Sequence, residues 1–509
     1  MRRTLTLPAL FASVMGFAQP NSTGTELWIT YMENLNLQFN GPPSFHLVIS
    51  SDVSTVGEVQ VPFTGFTFPF SVAALSDTVI TLPTNIYYPQ GDEAVFNFGV
   101  RVVANDPVNV YAYHDRPYFS EGAMALPYDR LGTDHLVLAH EDAGQGSPSE
   151  FVVLATADST VIEVVPSVLT VSFRPPGVPY TVLLNAGQVF QQQAFGDLSG
   201  SRVRSLDPAK PVAVFAGARQ AIVNCAGSAD DHLFQQVEPL ANWGRTFRIV
   251  PFSGRNGDEV RVLASADNTT ITVTGQPSVV LDSGEVADLF VDVPLTITSS
   301  APVAVGQFND SQTCNVTTGD PCYLWVHPSD HEDQRAIWTA RTGAGTPEHF
   351  VNIVANGEAG APQVFLDGQD VGPQLQPMVG VAGVFWGQFT ILPGEHLIES
   401  SKGFQAWAYG MGDYNSYAFP LGFGPSLITT GLDEAESVEA RAGLLVAQGS
   451  PVDLAMLGLR PGEPFVVTDA LGRTVMSAHA APTWPVMLAP GTYTLRALRT
   501  GRGVRLVVH

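Results

Sequence analysis

The chain has 509 residues, of which 45% are hydrophobic, and this fraction is typical of folded domains and excludes a largely disordered protein. Its 48 acidic and 24 basic residues give a formal net charge of −24, which makes nucleic acid a poor partner because phosphate binding needs a basic surface. With 48 Gly, 38 Pro and only 14% charged residues, turn-rich β structure is favoured over long salt-bridged helices.

The first predicted element is a signal peptide over residues 1–18. Two arginines precede the apolar run LTLPALFASVMGF at residues 5–17, and small residues then precede a cleavage site between Ala18 and Gln19. The run is too short to span a bilayer, and no later stretch reaches about 18 apolar residues, so no transmembrane segment is expected. The pattern predicts an exported protein.

A sequence pattern then recurs four times up to about residue 420. The opening segments read GTELWITY at 24–31, GTDHLVLAH at 132–140, WGRTFRIVPF at 243–252 and DQRAIWTAR at 333–341. A second segment with alternating apolar residues follows each of them, which is typical of half-buried strands. A Pro-Val step closes the first three units, at Pro107, Pro211 and Pro302, and Gly403-Phe404 replaces it in the fourth.

The repeats predict an all-β fold of four β-sandwich-like units of about 100 residues, arranged in tandem or fused. The units are placed at about 24–120, 131–225, 243–312 and 333–420. A propeller is less suitable, because its blades repeat at about half this length. The connections from Tyr113 to Arg130, from Gln220 to Asn242 and from Asp310 to Asp333 are long and rich in polar and aromatic residues, so we expect binding residues there.

Three cysteines remain after the signal peptide. Cys314 and Cys322 flank a polar, turn-forming span, and in an oxidising compartment they would close a small loop. A free thiol pair and a metal site are the alternatives, although two cysteines are too few for a thiolate zinc site. Cys225 would then be a free, buried thiol.

The sequence contains no recognisable catalytic constellation, so no enzyme activity and no cofactor are predicted. No G-x-S-x-G, H-E-x-x-H, Walker A or EF-hand pattern occurs. No metal site is predicted either, and the weak candidates are His327 and His331, and Asp231 and His232, which are expected in solvated loops. The tryptophans beside strands are expected in the core, with sugar stacking as the alternative.

The order of these elements resembles the IgGFc-binding protein N-terminal domain family, over about residues 24–420. The resemblance rests on GTELW at 24–28, LGTD at 131–134, ATADSTV at 155–161, DLSGS at 197–201, KPVAVFAG at 210–217, DHL at 231–233, WG at 243–244 and GDP at 319–321. The family name implies immunoglobulin binding for one animal member, and the resemblance does not establish that ligand for a bacterial chain. The region is placed at residues 19–425.

The last segment, residues 441–509, has a different charge, because seven arginines there face only three acidic residues. After a linker at 426–440, this segment resembles the C-terminal sorting domain of type IX secretion substrates from Bacteroidetes. The matching residues are Asp469, Gly472, Arg473, Gly491 and Tyr493. The resemblance implies a small immunoglobulin-like β-sandwich that engages the type IX secretion machinery and directs the protein to the cell surface. A fifth sandwich that only caps the array is the alternative.

These features predict a secreted or outer-membrane surface protein that binds an extracellular glycoprotein or polysaccharide as an adhesin does. A structural component of the surface or matrix layer, without a discrete ligand, is the second hypothesis. A metal-dependent hydrolase that uses the segment around His327 and His331 is the third.

Overall fold

The structure is a computed structural model that divides into two bodies, residues 1–427 and residues 428–509. It describes residues 22–35, 42–83, 88–142, 146–224, 229–315, 318–341, 345–357, 360–422, 444–446, 451–453, 464–469, 474–479, 483–485, 491–497 and 503–508. The predicted cleavage site and the predicted linker lie outside the described residues.

The first body consists of four units with a common plan. The first unit contains β1 (Gly24–Ile29), β2 (Ser44–Ser51), β3 (Thr55–Val61), β4 (Phe66–Val72), β5 (Ser76–Thr81), β6 (Ala94–Phe96), β7 (Val100–Asp115) and β8 (Glu121–Met124). The second unit contains β9 (Asp134–Leu136), β10 (Ser149–Ala155), β11 (Thr160–Val165), β12 (Tyr180–Leu184), β13 (Val189–Ala194), β14 (Arg202–Ser205), β15 (Val212–Ala221) and β16 (Asp231–Val237).

The other two units follow the same order. The third contains β17 (Gly244–Ile249), β18 (Asp258–Ala264), β19 (Thr269–Val273), β20 (Val279–Leu281), β21 (Val286–Val291), β22 (Leu295–Phe308) and β23 (Tyr323–Val326). The fourth contains β24 (Asp333–Ala340), β25 (Glu348–Asn356), β26 (Phe365–Leu366), β27 (Gln369–Asp370), β28 (Gln376–Pro377), β29 (Val384–Ile391), β30 (Gly394–Gly412) and β31 (Asn415–Pro420). Short helical turns lie at Tyr128–Arg130, Leu240–Asn242, Gln312–Asn315 and Gly372–Gln374.

A long strand organises each unit. In the first unit β7 pairs with β1 and β3 along its first half and with β2 and β8 along its second half. β22 and β30 are used in the same way, whereas in the second unit the long strand is divided into β14 and β15. The all-β prediction of sandwich-like repeats is therefore confirmed.

The recurring prolines lie where each long strand changes partners. The hydroxyls of Ser51, Thr156 and Ser265 donate hydrogen bonds to the carbonyls of Pro107, Pro211 and Pro302, over 3.2, 2.6 and 2.6 Å. Proline has no backbone N–H to donate, so the regular hydrogen bonding between the strands is interrupted at these positions. In each of the three units the hydroxyl group instead connects the end of the second strand to the long strand.

The last strands of the four units, β8, β16, β23 and β31, contact one another at the centre of the body. Each of the first three units also contacts the unit that follows it along the chain. β6 of the first unit pairs with β13 of the second, Arg261 of the third reaches Asp197 of the second at 2.6 Å, and Asn352 of the fourth donates to Pro251 of the third. The ring closes where Tyr113 donates to the Thr339 carbonyl over 3.0 Å. The units are therefore fused rather than separate.

This arrangement corrects the expectation about the three long connections. Most of the described residues in these three connections are buried. The connections contain the strands β8, β16 and β23. Most of their described polar and aromatic side chains therefore lie inside the ring and are not exposed for binding.

The second body is described through its strands alone. They are β32 (Leu444–Val446), β33 (Pro451–Asp453), β34 (Pro464–Asp469), β35 (Thr474–His479), β36 (Thr483–Pro485), β37 (Gly491–Ala497) and β38 (Gly503–Val508). Five of them form one sheet, in the order β32-β38-β37-β34-β35, and β33 pairs with β36. Across both bodies, the described residues include no helix that is long and apolar enough to cross a membrane.

Candidate functional site

The structure brings His327 and His331 together with a third residue, Glu238. Glu238 directly follows β16 of the second unit, His327 directly follows β23 of the third, and His331 lies in the turn before β24. His327 Nδ1 lies 2.5 Å from Glu238 Oε1, and one potential ligand atom from each of the three side chains lies within 4.8 Å of the others. We call these three residues the junction cluster.

Hydrogen bonds to the backbone hold the junction cluster in place. Trp243 Nε1 donates to the Glu238 carbonyl over 3.1 Å. Gln405 Nε2, from β30 of the fourth unit, donates to the His327 carbonyl over 3.1 Å and to the Pro328 carbonyl over 2.8 Å. The His331 amide donates to the Pro328 carbonyl over 2.9 Å. The main chain is thus fixed at all three positions before any ligand binds.

The junction cluster is almost completely removed from solvent. Glu238 and His331 are 1% exposed and His327 is 6% exposed. Burial raises the pKa of Glu238, but His327, His331 and Arg130 together outweigh burial and lower that pKa. Burial lowers the pKa of His331, which favours its neutral form. A carboxylate and two imidazoles can therefore present one oxygen and two nitrogen ligands to a shared point.

Sequence reasoning missed Glu238, although a signal for it exists. In the second and third units the last strand is followed by one residue and then a proline, as Glu238-Pro239 and His327-Pro328, and in the first unit the corresponding Leu126-Pro127 comes one residue later. Glu238 therefore occupies the position in the second unit that His327 occupies in the third. The predicted solvated loop around His327 and His331 is wrong, since both histidines are buried.

The other weak metal candidates do not join this cluster. Asp231 and His232 are both fully buried in β16, where successive side chains point to opposite faces. His232 Nδ1 lies 3.0 Å from the Ala218 carbonyl, and burial lowers the pKa of His232 to about 4. In the described part of the chain, neither residue belongs to a group of three potential ligands. The expected solvated loop is here a buried strand.

The predicted disulfide between Cys314 and Cys322 is not formed. Cys322 is a free thiol, fully buried just before β23 and packed in the core of the third and fourth units. Cys314 is disulfide-bonded and lies in the turn Gln312–Asn315, with its sulfur 3.6 Å from the Val223 carbonyl. Because β23 is drawn into the centre of the ring, Cys322 points into the core. Cys225 lies outside the described residues.

The residues of the predicted sorting motif are only partly described. Asp469 ends β34 and is paired in register with Tyr493 of β37, the strand that begins at Gly491. Gly472 and Arg473 lie outside the described residues. Their role in sorting stays a prediction.

Most of the strand-associated tryptophans lie in the core, as predicted. Trp28, Trp243, Trp338 and Trp407 are all buried, and Trp386 is partly buried. Four of these five indole rings are therefore not available as a platform for stacking sugars.

The second unit carries a well-anchored apolar surface. We call residues 166–179, between β11 and β12, the Phe173 loop. The Val171 amide donates to the Gln193 carbonyl over 2.9 Å, and Arg174 pairs with Glu93 of the first unit at 2.8 Å while lying over the Tyr180 ring. Exposed large apolar side chains on or beside this loop are Leu169, Phe173, Val178, Leu183 and Phe195.

Phe173 is the most unusual of these side chains. It is 80% exposed, and its φ of +65° places a bulky residue in the left-handed region, which such residues rarely adopt. Phe195, which follows β13 close to the loop's hydrogen bond with Gln193, is 65% exposed. Exposed aromatic side chains on a rigid scaffold are typical anchors of protein interfaces.

Comparison with known proteins relates the first body to one family of binding proteins. Residues 121–410 match the family described as "IgGFc binding protein". The human "IgGFc-binding protein" is 26% identical over 295 residues, which are 55% of this chain and 5% of the human protein. The chain therefore spans only a small fraction of that relative's length.

Two solved structures show weak likenesses that carry no argument. One is described as "Structural insight into host cell surface retention of a 1.5-MDa bacterial ice-binding adhesin", at 10% identity and a TM-score of 0.10, covering 60% of this chain and 91% of that one. The other is an anti-sigma factor domain-containing protein from Clostridium clariflavum, at 8% identity and a TM-score of 0.12, covering 73% of this chain and 99% of that one.

The family match starts at the central strand β8 and ends within the long strand β30. It therefore includes the second and third units completely, together with the junction cluster and the Phe173 loop. Since the matched residues make up more than half of its length, the chain belongs to the IgGFc-binding protein family.

Proposed function

We propose that this protein is a non-enzymatic binding protein that recognises an extracellular glycoprotein or polysaccharide, as an adhesin does. The observation that carries the proposal is its membership of the IgGFc-binding protein family. The name of the human relative makes immunoglobulin Fc, an extracellular glycoprotein, the first ligand to test.

The Phe173 loop is the surface that we assign to this binding. It lies within the matched residues, it is anchored to the first unit through Arg174 and Glu93, and it exposes Phe173. An anchored loop loses little conformational freedom on binding, and an exposed aromatic ring gains the most from desolvation by a partner.

The hydrolase hypothesis receives little support. The junction cluster is 1–6% exposed, so a polymeric substrate has no open access to it. A catalytic metal centre keeps an accessible position for water and substrate. We therefore rank the hydrolase third, after the adhesin-like binding protein and the structural surface component.

Export is the second part of the proposal. The segment at residues 1–18 supports a signal peptide, and the resemblance of residues 441–509 to type IX sorting domains supports display on the outer surface of the cell. The charge of −28 on residues 1–440 suits a soluble surface protein that repels anionic lipid.

The test is a binding screen of the purified full-length chain against immunoglobulin Fc, mucins and a glycan array, with a Phe173→Ser/Phe195→Ser double variant beside it. A ligand that binds through the Phe173 loop should lose about 10- to 100-fold in affinity in the double variant. Leu392→Ser is the matched control, because Leu392 is 78% exposed but lies in the fourth unit.

One outcome would contradict the assignment of the Phe173 loop, and another would contradict the binding function itself. Equal binding by all variants would remove the Phe173 loop from the site and leave the binding function in place. A folded protein that binds nothing in the screen, but self-associates in light scattering, would favour the structural surface-layer hypothesis. Loss of this self-association in the double variant would show that the apolar surface serves contacts between copies.

A further inference from the structure

The junction cluster combines three features that a simple ion pair does not need. Glu238 comes from the second unit and both histidines come from the third, so the cluster bridges two units. A buried Glu-His ion pair requires one imidazole, yet the second imidazole lies within 4.8 Å of both partners. Among the described residues, the junction cluster is the one group of three potential metal ligands whose ligand atoms lie close enough to share an ion.

The surroundings of Glu238 make its carboxylate available. Its contact is with His327 Nδ1, and within the described residues no backbone amide donates a hydrogen bond to either of its oxygens. A buried carboxylate normally accepts several hydrogen bonds or binds a cation, because its desolvation is otherwise costly. One imidazole contact leaves most of its lone pairs for another partner.

The distances suit a small ion. Zinc binds imidazole nitrogen and carboxylate oxygen at about 2.0–2.2 Å, so two of its ligand atoms lie roughly 3.3 Å apart in a tetrahedral site. The contact of 2.5 Å between His327 and Glu238 would open by about 1 Å, and the wider separations, up to 4.8 Å, would close by about 1.5 Å. Shifts of this size are within the reach of side-chain rotation, while hydrogen bonds with Trp243, Gln405 and Pro328 hold the main chain at the three positions.

The ligand types select the class of ion. Two imidazoles and one carboxylate suit borderline divalent ions such as Zn²⁺, whereas Ca²⁺ and Mg²⁺ prefer a shell of oxygens. The burial of the cluster suits a structural site rather than a catalytic one.

We propose that Glu238, His327 and His331 bind one divalent transition ion of the zinc class, and that this ion fastens the second unit to the third at the ends of β16 and β23. The ion would replace the direct contact between His327 and Glu238 and bring His331 into the same coordination shell. The inference is independent of what the protein binds on its surface.

The experiment uses the full-length chain, stripped of metal with a chelator that is then removed. Zn²⁺ titrated into it should bind at about one ion per chain with micromolar affinity or better, and should raise the unfolding temperature. Co²⁺ in place of Zn²⁺ should give a visible absorption band of a four- or five-coordinate site, and excess Ca²⁺ should not displace it.

Two single variants and one control assign the site. His331→Gln and Glu238→Gln should each weaken Zn²⁺ binding by at least tenfold and remove the cobalt band. The control is His396→Gln, since His396 forms a comparable imidazole-carboxylate pair with Asp367, at 2.8 Å in the fourth unit, and should leave Zn²⁺ binding unchanged.

The proposal is overturned if the folded wild-type chain binds no Zn²⁺ at micromolar concentration. It is equally overturned if His331→Gln binds Zn²⁺ as tightly as the wild type does, which would place the ion elsewhere. Should Glu238→Gln fail to fold, the cobalt spectrum of the wild type and the His331→Gln titration still decide the matter.

Discussion

Asp258 is a fully buried carboxyl at the start of β18, in the third unit. Its Oδ2 atom accepts hydrogen bonds from the Phe252 amide over 2.8 Å and from Gln307 Nε2 over 2.6 Å. Burial is the larger influence and raises the pKa of Asp258 to about 8, although both hydrogen bonds favour the ionised form. The folded protein therefore holds a proton at Asp258 at neutral pH.

This proton makes the stability of the protein depend on pH. An aspartate in the unfolded chain has a pKa of about 3.9, so between about pH 4 and pH 8 the folded state binds one more proton than the unfolded state. The free energy of unfolding therefore falls as the pH rises through this window. The contribution of Asp258 is at most about 1.4 kcal/mol per pH unit.

Asp258→Asn should flatten this dependence. The side-chain carbonyl of asparagine can accept both hydrogen bonds and has no proton to lose, so the variant should gain stability relative to the wild type between pH 5 and pH 8. Urea unfolding at several pH values measures the effect, with the exposed Asp292→Asn as the control for lost negative charge. A constant difference between variant and wild type across this range would contradict the prediction.

Among the strands, a glycine-proline contact recurs where three of the four units begin. Gly24, Gly132 and Gly244 open or precede the first strands of three units, and they lie against Pro127, Pro239 and Pro328. A Cβ atom added to these glycines would lie 2.3–2.4 Å from the proline Cβ atom. Glycine is needed here because of this close approach, and its backbone freedom plays no part.

Gly132→Ala should therefore destabilise the protein by about 1–3 kcal/mol, because the new methyl group pushes the first strand of the second unit away from Pro239. Gly360→Ala is the matched control, since a Cβ atom there would meet nothing within 4 Å. Urea unfolding of both variants tests the prediction. Equal stability of Gly132→Ala and the wild type would mean that the two elements move apart without cost.

At the scale of the whole molecule, one carboxyl connects three units at the centre of the ring. Glu121 of β8 is fully buried, and its two oxygens accept hydrogen bonds from the amides of Gly122, Tyr323 and Ala418, over 3.0, 2.8 and 3.1 Å. Gln235 of the second unit adds a donor to the carbonyls of Gly122 and Ala418. The four last strands are therefore joined by polar side chains as well as by packing.

Glu121→Gln should lower the free energy of unfolding of the whole ring by about 1–3 kcal/mol, because the amide group replaces one acceptor oxygen with a donor that faces another donor. Glu121→Ala should be worse, since it leaves all three amides unsatisfied in the core. The measurement is chemical unfolding followed by tryptophan fluorescence, with Glu58→Gln on the first unit as the control. Unchanged stability of Glu121→Gln would show that the three amides find other partners.

Sequence patterns predict the strands better than they predict the site. The alternation of apolar residues and the Pro-Val steps indicate the strands correctly, because both follow from local backbone chemistry. Composition gives the wrong expectation for the three long connections, because a buried polar segment and an exposed binding loop have similar compositions. His327 and His331 are visible as neighbours in the sequence, whereas Glu238 becomes their neighbour only through the contact of β16 with β23.

The all-β class, the fourfold repeat and the different charge of the last segment can be predicted from the chain alone, because they depend on composition and on patterns that are local along the chain. The closure of the four units into a ring, the free and buried state of Cys322, and the place of Glu238 in a potential metal site became visible only in the three-dimensional fold. Each of these depends on which last strands meet at the centre, and such contacts between distant segments leave no periodic signal in the chain.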